Sequence, residues 1–398
     1  MDAGRVIADL RELDRRTGGP DGARRVCWSQ PWEQARAFLR ERLAELSVTI
    51  DVDEAGNLWA QLAGEGDAVV VVGSHLDSVP GGGWLNGALG VFAALEVLRT
   101  AGRPAVTLRL VDWADEEGRF GRSLFGSSAC AGTLDPDAVR DLRDRDGVRL
   151  EDGVGIDLNH AADARGRLAG VQAYLELHIE QGPVLESQGA SAAAVLGTCG
   201  VERHVVVFTG QAAHAGATPM AMRRDSFAAA AQAALAIRRI GFEHEGVCTV
   251  GGAASEPGIA TAVAGRTEML LDQRHLDPGS LAAMLAAARE ACAQAAADHG
   301  CEVELQPVWS IPPVPFDERL IAIAREAVGT DLVIPSGPLH DASEMARLVP
   351  TVMLFAKSSP PVSHTREEDT PEADLRAAIE AYGRAVAQAV QMAAAGEL

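Results

Sequence analysis

A run of four valines, Val69–Val72, ends in a Gly-Ser turn and is followed at once by His75, Leu76 and Asp77. An unbroken run of β-branched residues is typical of a parallel strand that is buried on both faces. We expect a helix at about 88–100 after this strand. A strand followed by a helix is the order of elements in an open α/β sheet. Ligands of such sheets bind beyond the carboxyl ends of the strands. The run therefore predicts an α/β fold with His75 and Asp77 at its functional edge.

The pair His75 and Asp77 has two interpretations. Residues two apart in extended backbone share a face, so Asp77 could accept one ring N–H of His75 and leave the other ring nitrogen for a metal. The alternative is a capped loop that carries a solvated histidine. The pair alone does not separate these two interpretations, and the ends of the other predicted strands have to be considered.

The strand predicted at 105–113 runs directly into the adjacent carboxylates Glu116 and Glu117. Neighbouring residues of extended backbone point in different directions, so one glutamate can bind a metal while the other faces the substrate as a base. An acidic surface loop is the alternative for an isolated pair of glutamates.

Two further predicted strands also lead to histidines. The strand at 172–178 ends at His178, and the strand at 351–355 opens onto a loop that contains His364. Imidazole and carboxylate groups together suit a divalent transition metal. Potential metal ligands at successive strand ends favour a metal centre over chance placement.

From about residue 201 the predicted elements follow the order β-α-β-β-α-β, which is that of a ferredoxin-like unit. A segment of about 110 residues is long enough to form its own domain. The α/β pattern then resumes with a helix near 317–328. We predict a catalytic metal-binding domain formed by 1–200 and 318–398, with an inserted lid and dimerisation domain formed by 201–317.

Charge and composition exclude several classes of partner. The formal net charge is −21 and the pI is near 4.9, which argues against nucleic acid and anionic membrane surfaces. The six cysteines are scattered without a C-x-x-C pair, so neither a disulfide framework nor a thiolate zinc site is expected. The start of the chain lacks a basic and apolar leader, and no apolar stretch is long enough for a bilayer. We expect a cytoplasmic enzyme.

With these residues assembled, the chain resembles the di-zinc aminoacylase/carboxypeptidase superfamily, in particular its N-carbamoyl-L-amino-acid hydrolase and allantoate amidohydrolase branch. The resemblance covers nearly the full length. It implies a mixed-sheet, zinc-peptidase-like α/β catalytic domain with an inserted α+β lid. The motifs that carry it are GSHLDSVP at 73–80, EEGRF at 116–120 with SLFGS at 123–127, ELHIEQGP at 176–183, HAGATPM at 214–220, LDQRH at 271–275, and Ser363 and His364 with Glu368.

The resemblance implies a pair of divalent metals, zinc or manganese, with one or two ions per chain. One ion would be bound by His75 and His178. The other would be bound by Glu117 and His364. The family's bridging ligand falls at Asn86.

The resemblance also implies the catalytic and substrate-binding groups. Asp77 would orient a metal-binding histidine, Glu116 would be the general base, and His214 of the lid would help hold the developing oxyanion. Arg274 would grip the substrate carboxylate with a two-pronged contact. The implied substrate-binding residues are Arg274, Gln181, Thr261 and His340. Such enzymes dimerise through the lid, so a homodimer is implied, with a carboxylate-bearing small molecule as substrate.

Asn86 is the main departure from the family pattern. Family members have an aspartate that bridges both metals at this position. A carboxylate offers two anionic oxygens to two cations, whereas the amide of Asn86 offers one neutral oxygen. Two ions about 3.5–4 Å apart would lose charge that offsets their repulsion, so at least one ion should bind weakly.

Other departures lie on the side that recognises the amide or ureido group. The family's glutamine after its Gly-x-x-Gly turn corresponds to Val201, its asparagine before the Pro-Gly element to Thr261, and its glycine before the His-Asp pair to Leu339. The carboxylate anchor, Arg274, is retained.

Three functions remain open from the sequence. The first is a metal-dependent amidohydrolase that cleaves a linear amide or ureido C–N bond of an N-carbamoyl or N-acyl amino acid. The second is a diverged enzyme with an impaired di-metal centre that performs condensation, cyclisation or isomerisation. The third is a non-catalytic binding protein. The joint presence of the four predicted ligands and Glu116 favours metal binding and catalysis.

Overall fold

The computed structural model describes residues 1–398, and the chain divides into two compact units. The large unit consists of Met1–Gly197 and Phe316–Leu398, and the inserted unit is Thr198–Pro315. These junctions lie two or three residues before the predicted ones, which followed residues 200 and 317.

The strands and helices are numbered in chain order. The strands are β1 (Gly18–Gly19), β2 (Gly22–Ala23), β3 (Thr49–Val52), β4 (Leu58–Leu62), β5 (Val69–His75), β6 (Thr107–Trp113), β7 (Val171–Ile179), β8 (Ala192–Thr198), β9 (Gly200–Thr209), β10 (Ala213–His214), β11 (Val247–Glu256), β12 (Ala262–Val263), β13 (Arg266–His275), β14 (Glu302–Ile311), β15 (Val314–Pro315), β16 (Val333–Ser336) and β17 (Thr351–Ala356). The helices are α1 (Ala3–Thr17), α2 (Gln30–Leu43), α3 (Ala88–Thr100), α4 (Phe125–Ala131), α5 (Pro136–Val139), α6 (Leu150–Gly153), α7 (Val184–Gln188), α8 (Ser226–Glu243), α9 (Pro278–Asp298), α10 (Glu318–Val328), α11 (Asp341–Met345) and α12 (Glu372–Ala395). No helix combines the length and apolar character that a bilayer crossing needs.

The large unit is built on a mixed sheet in the order β8-β17-β7-β5-β6-β4-β3, with β16 paired to β8. Its centre is parallel, because β5 pairs with β6 and β7, and β17 pairs with β7, all in the same direction. The strands β8, β4 and β3 are antiparallel to their neighbours. The carboxyl ends of the four central strands therefore lie along one edge.

The strand β5 is buried over its whole length, as the valine run predicts. Val70 and Val72 face one hydrophobic core, which includes residues of α1, α2, α3, α10 and α12. Val69 and Val71 face a second core, which includes residues of α4 and α11. Because successive side chains of a strand point to opposite faces, this run fixes which residues of β5 reach each layer.

A buried ion pair ties α2 to the central sheet. Arg36 Nε donates to Asp112 Oδ2 at 2.7 Å, and Asp112 Oδ1 accepts the backbone N–H of Leu76 at 2.8 Å. The exposed fractions of the two charged side chains are 3% and 0%. One buried carboxylate thus connects α2 and β6 to the residue that follows His75.

The inserted unit has a four-stranded antiparallel sheet in the order β11-β13-β9-β14. The long helices α8 and α9 pack on one face of it, around Val206, Phe208 and Met269. Asp225 and Asp277 cap these helices by accepting backbone N–H groups of their first turns. The element order is the predicted β-α-β-β-α-β, with the short strands β10 and β12 added as a separate pair.

Replacing Arg36 with methionine should lower the free energy of unfolding of the large unit by about 3–5 kcal/mol, because Asp112 would remain buried without its counterion. Of the six tryptophans only Trp309 lies in the inserted unit, so urea unfolding followed by tryptophan fluorescence reports mainly on the large unit. The control is Arg325→Met, which breaks an exposed pair with Asp331 and should cost about 0–1 kcal/mol. Equal unfolding midpoints for the two variants would contradict the role of the buried pair.

Candidate metal centre and active site

The four predicted metal ligands that follow strands come together at the carboxyl edge of the parallel strands. His75 ends β5 and His178 is the penultimate residue of β7, while Glu117 and His364 follow β6 and β17 through short loops. Because these strands are neighbours in the sheet, residues more than 280 positions apart in sequence share one site.

His75 and His178 stack against one another. Their ring centroids are 5.8 Å apart and the rings are inclined by 26°. His75 Nδ1 lies 3.1 Å from the backbone oxygen of Asp77, and His178 Nδ1 lies 2.9 Å from that of Ile179. A ring that donates through Nδ1 keeps its Nε2 lone pair for another group. His75 Nε2 has no hydrogen-bond partner, whereas His178 Nε2 accepts the backbone N–H of Gly87 at 3.3 Å. Both rings are oriented by an outer partner, as metal-binding histidines are.

The two glutamates after β6 face different histidines, as the extended backbone predicts. Glu116 Oε2 lies 3.6 Å from His75 Nε2, and Glu117 Oε2 lies 3.3 Å from His364 Nε2. Asp77 holds this loop in place, because its carboxylate accepts the backbone N–H groups of Glu116 at 3.3 Å and Glu117 at 3.1 Å. Asp77 Oδ1 is also 3.4 Å from His75 Nδ1.

Burial perturbs the protonation of these groups strongly. It raises the pKa of Glu117 to about 7 and that of Glu116 well above its ordinary value. It lowers the pKa of His178 to about 3. Burial also opposes the charging of His75, but the carboxylates of Glu116 and Asp77 raise its pKa overall. Most of the centre is therefore buried and ionisable, and only the side chain of His364 is half exposed.

These residues fit a divalent metal. The buried atoms His75 Nε2 and Glu117 Oε1 have no hydrogen-bond partner. Buried polar atoms without partners are rare and costly, and both atoms belong to groups that bind zinc or manganese. The imidazole and carboxylate groups, together with the backbone contacts that orient both histidines, therefore suit at least one divalent ion.

Asn86 is buried just before the start of α3, and its loop is connected to that of His364 by Glu368. Glu368 accepts the backbone N–H of Asn86 at 3.2 Å and that of His364 at 3.3 Å, and Ser363 Oγ donates to it at 2.8 Å. The sequence shows Glu368 only as part of a motif. In the structure its carboxylate connects the loop of Asn86 to the loop of His364.

Arg25 is a positioning residue that the sequence did not reveal. Its side chain is fully buried, and its Nε donates to the backbone oxygen of Leu76 at 2.8 Å. Its backbone N–H donates to Ser78 Oγ at 3.1 Å, and Ser78 N–H donates back to the backbone oxygen of Arg25. Arg25 thereby fixes the loop that contains Asp77. The only feature of the sequence that could indicate a buried Arg25 is the apolar segment 26–28, which follows it directly.

Strained backbone is concentrated around the site. Asp115, Gln181 and His364 have φ values of 57°, 62° and 59°, which side chains other than glycine rarely adopt. Gln181 Nε2 donates to Ser363 Oγ at 2.8 Å and lies 3.5 Å from His364 Nε2. The predicted substrate residue Gln181 is thus beside a predicted metal ligand.

His340, the other predicted substrate residue of the large unit, is 1% exposed. Its ring centroid lies 4.5 Å from that of His178. The structure therefore places His340 in the buried layer beside a predicted metal ligand. Its contact with substrate stays a prediction.

Three predicted residues belong to the inserted unit. The strand pairing joins His214 to the segment after Thr261, because Ala215 N–H donates to the backbone oxygen of Thr261 at 2.8 Å. His214 Nδ1 accepts the backbone N–H of Gly216 at 3.1 Å. Arg274 Nε donates to Asp272 Oδ1 at 2.8 Å, which orients the guanidinium.

Comparison with known proteins identifies the family. A model of the peptidase family M20/M25/M40 matches residues 71–388, and the chain belongs to this family. An N-carbamoyl-L-amino acid amidohydrolase of Geobacillus stearothermophilus is 34% identical over 403 residues, which cover 97% of each chain. An allantoate amidohydrolase of Escherichia coli strain K12 is 34% identical over 377 residues, which cover 89% of this chain and 90% of that protein.

Solved structures agree with these relatives. The crystal structure of a hydantoinase/carbamoylase family amidase from Burkholderia ambifaria has a TM-score of 0.87 at 34% identity, covering 98% of this chain and 97% of that one. The predicted fold class and the predicted branch of amidohydrolases are thereby confirmed.

Gly87 offers a test of the centre, because a Cβ there would lie 2.4 Å from Cε1 of His75. Gly87→Ala should displace that ring and weaken zinc binding by roughly 10–100-fold or more. Competition with a chromophoric chelator measures the affinity. Gly189→Ala is the matched control, because its φ of +64° resembles the +66° of Gly87 but nothing lies within 4 Å of its added Cβ. Equal zinc affinities for the two variants would rule out His75 as a ligand.

Proposed function

We propose that this protein hydrolyses the ureido or amide C–N bond of a small N-carbamoyl or N-acyl amino acid. The observation that carries the proposal is the pair Glu116 and Glu117 at the end of β6, each facing a histidine, in a chain 34% identical to amidohydrolases of this kind. A bound divalent metal would polarise the scissile carbonyl and lower the pKa of water.

Glu116 is the proposed general base. Its side chain is 9% exposed, and its Oε2 lies 3.6 Å from His75 Nε2, which has no hydrogen-bond partner. In this function Glu116 takes a proton from the attacking water and passes it to the leaving amine. For an N-carbamoyl amino acid, addition of water breaks the bond to the amino nitrogen, and the carbamic acid released decomposes to carbon dioxide and ammonia.

The inserted unit supplies the proposed substrate contacts. Arg274 is the proposed partner of the substrate carboxylate, because a guanidinium that Asp272 already orients loses less freedom on binding. His214 is the proposed donor to the oxyanion, with Thr261 beside it. Gln181 of the large unit is the proposed contact next to His364.

The proposed metal is zinc or manganese, bound by His75, His178, Glu117 and His364. Asn86 is the proposed fifth group, with a neutral oxygen in place of a bridging carboxylate. Homodimerisation through the inserted unit is also a proposal. The side chains of Leu235 and Phe242, 74% and 73% exposed on α8, are the positions at which it would be tested.

Replacing Glu116 with glutamine should lower kcat by roughly 10²–10⁴-fold, because the base is lost, while zinc content stays at the wild-type level. Glu117→Gln should instead reduce zinc content, because it removes a proposed ligand. Ammonia release from N-carbamoyl amino acids and elemental mass spectrometry measure the two effects. Loss of zinc in the Glu116 variant, or unchanged turnover, would contradict the assignment of the base.

Asn86→Asp should raise the metal content of protein purified without chelators, because a carboxylate would add a negative charge to the proposed ligand set. Elemental mass spectrometry gives the number of ions per chain. If wild type already contains two ions, Asn86 supports the pair and weak binding is disproved. If wild type is empty and the variant fills, the leading function becomes non-hydrolytic amide chemistry.

A further inference from the structure

A group of charged side chains lies on the face of the inserted unit's sheet that α8 and α9 do not cover. These helices pack on the face that contains Val206 and Met269. Successive side chains of a strand alternate between faces, so Arg203 of β9 and Asp272 of β13, which pair directly, point to the opposite face. Arg274 follows Asp272 by two residues and therefore shares that face with it.

Asp272 joins the two arginines. Its Oδ2 accepts from Arg203 Nε at 2.7 Å, and its Oδ1 accepts from Arg274 Nε at 2.8 Å. Burial opposes the charge of this carboxyl, but the hydrogen bonds from both guanidinium groups lower its pKa overall. Two cations thus share one anion, and the group keeps one net positive charge. In a chain with a formal net charge of −21, such a group favours an anionic ligand.

Trp309 orients the guanidinium of Arg203. It pairs with Arg203 from β14, and Arg203 Cζ lies 4.8 Å from the centroid of its ring. The hydrogen bond of the Arg203 side chain within the chain uses Nε, so Nη1 and Nη2 can bind a carboxylate. The side chain is 44% exposed, compared with 26% for Arg274. Arg203 is therefore both oriented and accessible to a ligand.

The net positive charge is confined to one end of this face. Glu268 of β13 and Glu304 of β14 both pair with Val207, four residues along β9 from Arg203, and they point to the same face. Arg266, farther along β13, forms an ion pair with Glu268. A ligand with two negative charges is therefore repelled from the acidic end and attracted to the end with the two arginines.

We propose that Arg203 binds a second carboxylate of the substrate, so that the preferred substrates are N-carbamoyl or N-acyl amino acids with an acidic side chain. This role rests on the proposed function, in which Arg274 binds the carboxylate next to the acylated nitrogen. Two guanidinium groups that one carboxylate orients provide two separate contacts for anions. A substrate with a neutral side chain uses only one of these contacts and leaves Arg203 without a second anion.

The test compares N-carbamoyl-L-glutamate with N-carbamoyl-L-glutamine, which has the same length and a neutral amide in place of the second carboxylate. In wild type we expect the higher kcat/KM for the glutamate compound. Arg203→Gln should lower that value roughly 10–100-fold, because a charge-assisted contact is lost, and should change the value for the glutamine compound by less than about 3-fold. Liquid chromatography of the released amino acids measures both rates.

Arg266→Gln is the matched control. Arg266 lies on the same face of the sheet, is 41% exposed and is also paired with a carboxylate, but it belongs to the acidic end. This variant should leave the preference for the glutamate compound unchanged. Equal losses for both compounds in Arg203→Gln, or no loss for either, would overturn the assignment of Arg203.

A binding measurement separates the role of Arg203 from the proposed reaction. Glu116→Gln is expected to hydrolyse slowly, so titration calorimetry can give the Kd of both compounds in this variant, with and without Arg203→Gln. Tighter binding of the glutamate compound that Arg203→Gln abolishes supports the second contact, even if wild type hydrolyses neither compound and the proposed function is refuted. Equal or undetectable binding of the two compounds to Glu116→Gln would refute the contact at Arg203.

Discussion

Parallel pairing of β5 with β6 and β7 is the constraint on which the rest of the structure depends. It places the ends of three strands that are distant in sequence along one edge, and β17 joins them on β7. In register, His75 lies opposite Trp113 and His178 opposite Phe355. The loops that follow need only a few residues to turn their carboxylates and histidines toward one another. The pairing of the strands therefore determines where the site lies, and the loops determine only the orientation of its side chains.

Burial of charge sets the chemistry at this edge. Asp77, Glu116, Glu176 and Asp341 are all nearly inaccessible to solvent. Arg36 forms its ion pair with Asp112, and Arg25 Nε donates to the backbone oxygen of Leu76 and not to a carboxylate. Buried carboxylates without enough cations either take up protons or attract a metal. This explains why burial dominates the pKa shifts of Glu116, Glu117 and Asp341.

Much of the architecture was predictable from the sequence, because the valine run and the helical periodicity are local signals. The helix 88–100 and the inserted β-α-β-β-α-β unit were both anticipated, whereas β3, β4 and β8 were not, since their short and mixed segments carry no clear alternation. The gathering of His75, Glu117, His178 and His364 at one edge of the sheet was also anticipated, and their binding of a metal stays a prediction. Arg25 and the burial of His340 were not, because they depend on contacts between distant segments that no local pattern encodes.

The position of β17 between β7 and β8 has a consequence for synthesis of the chain. β17 and α12 are made only after the inserted unit has left the ribosome, so until then β7 and β8 lack the strand that joins them. Non-local pairing of this kind folds slowly and leaves open edges that attract other strands. The inserted unit, whose strands and helices are contiguous in sequence, can fold first. The large unit is then completed from its C-terminal end, which makes nascent chains that stop before residue 351 the most prone to aggregation.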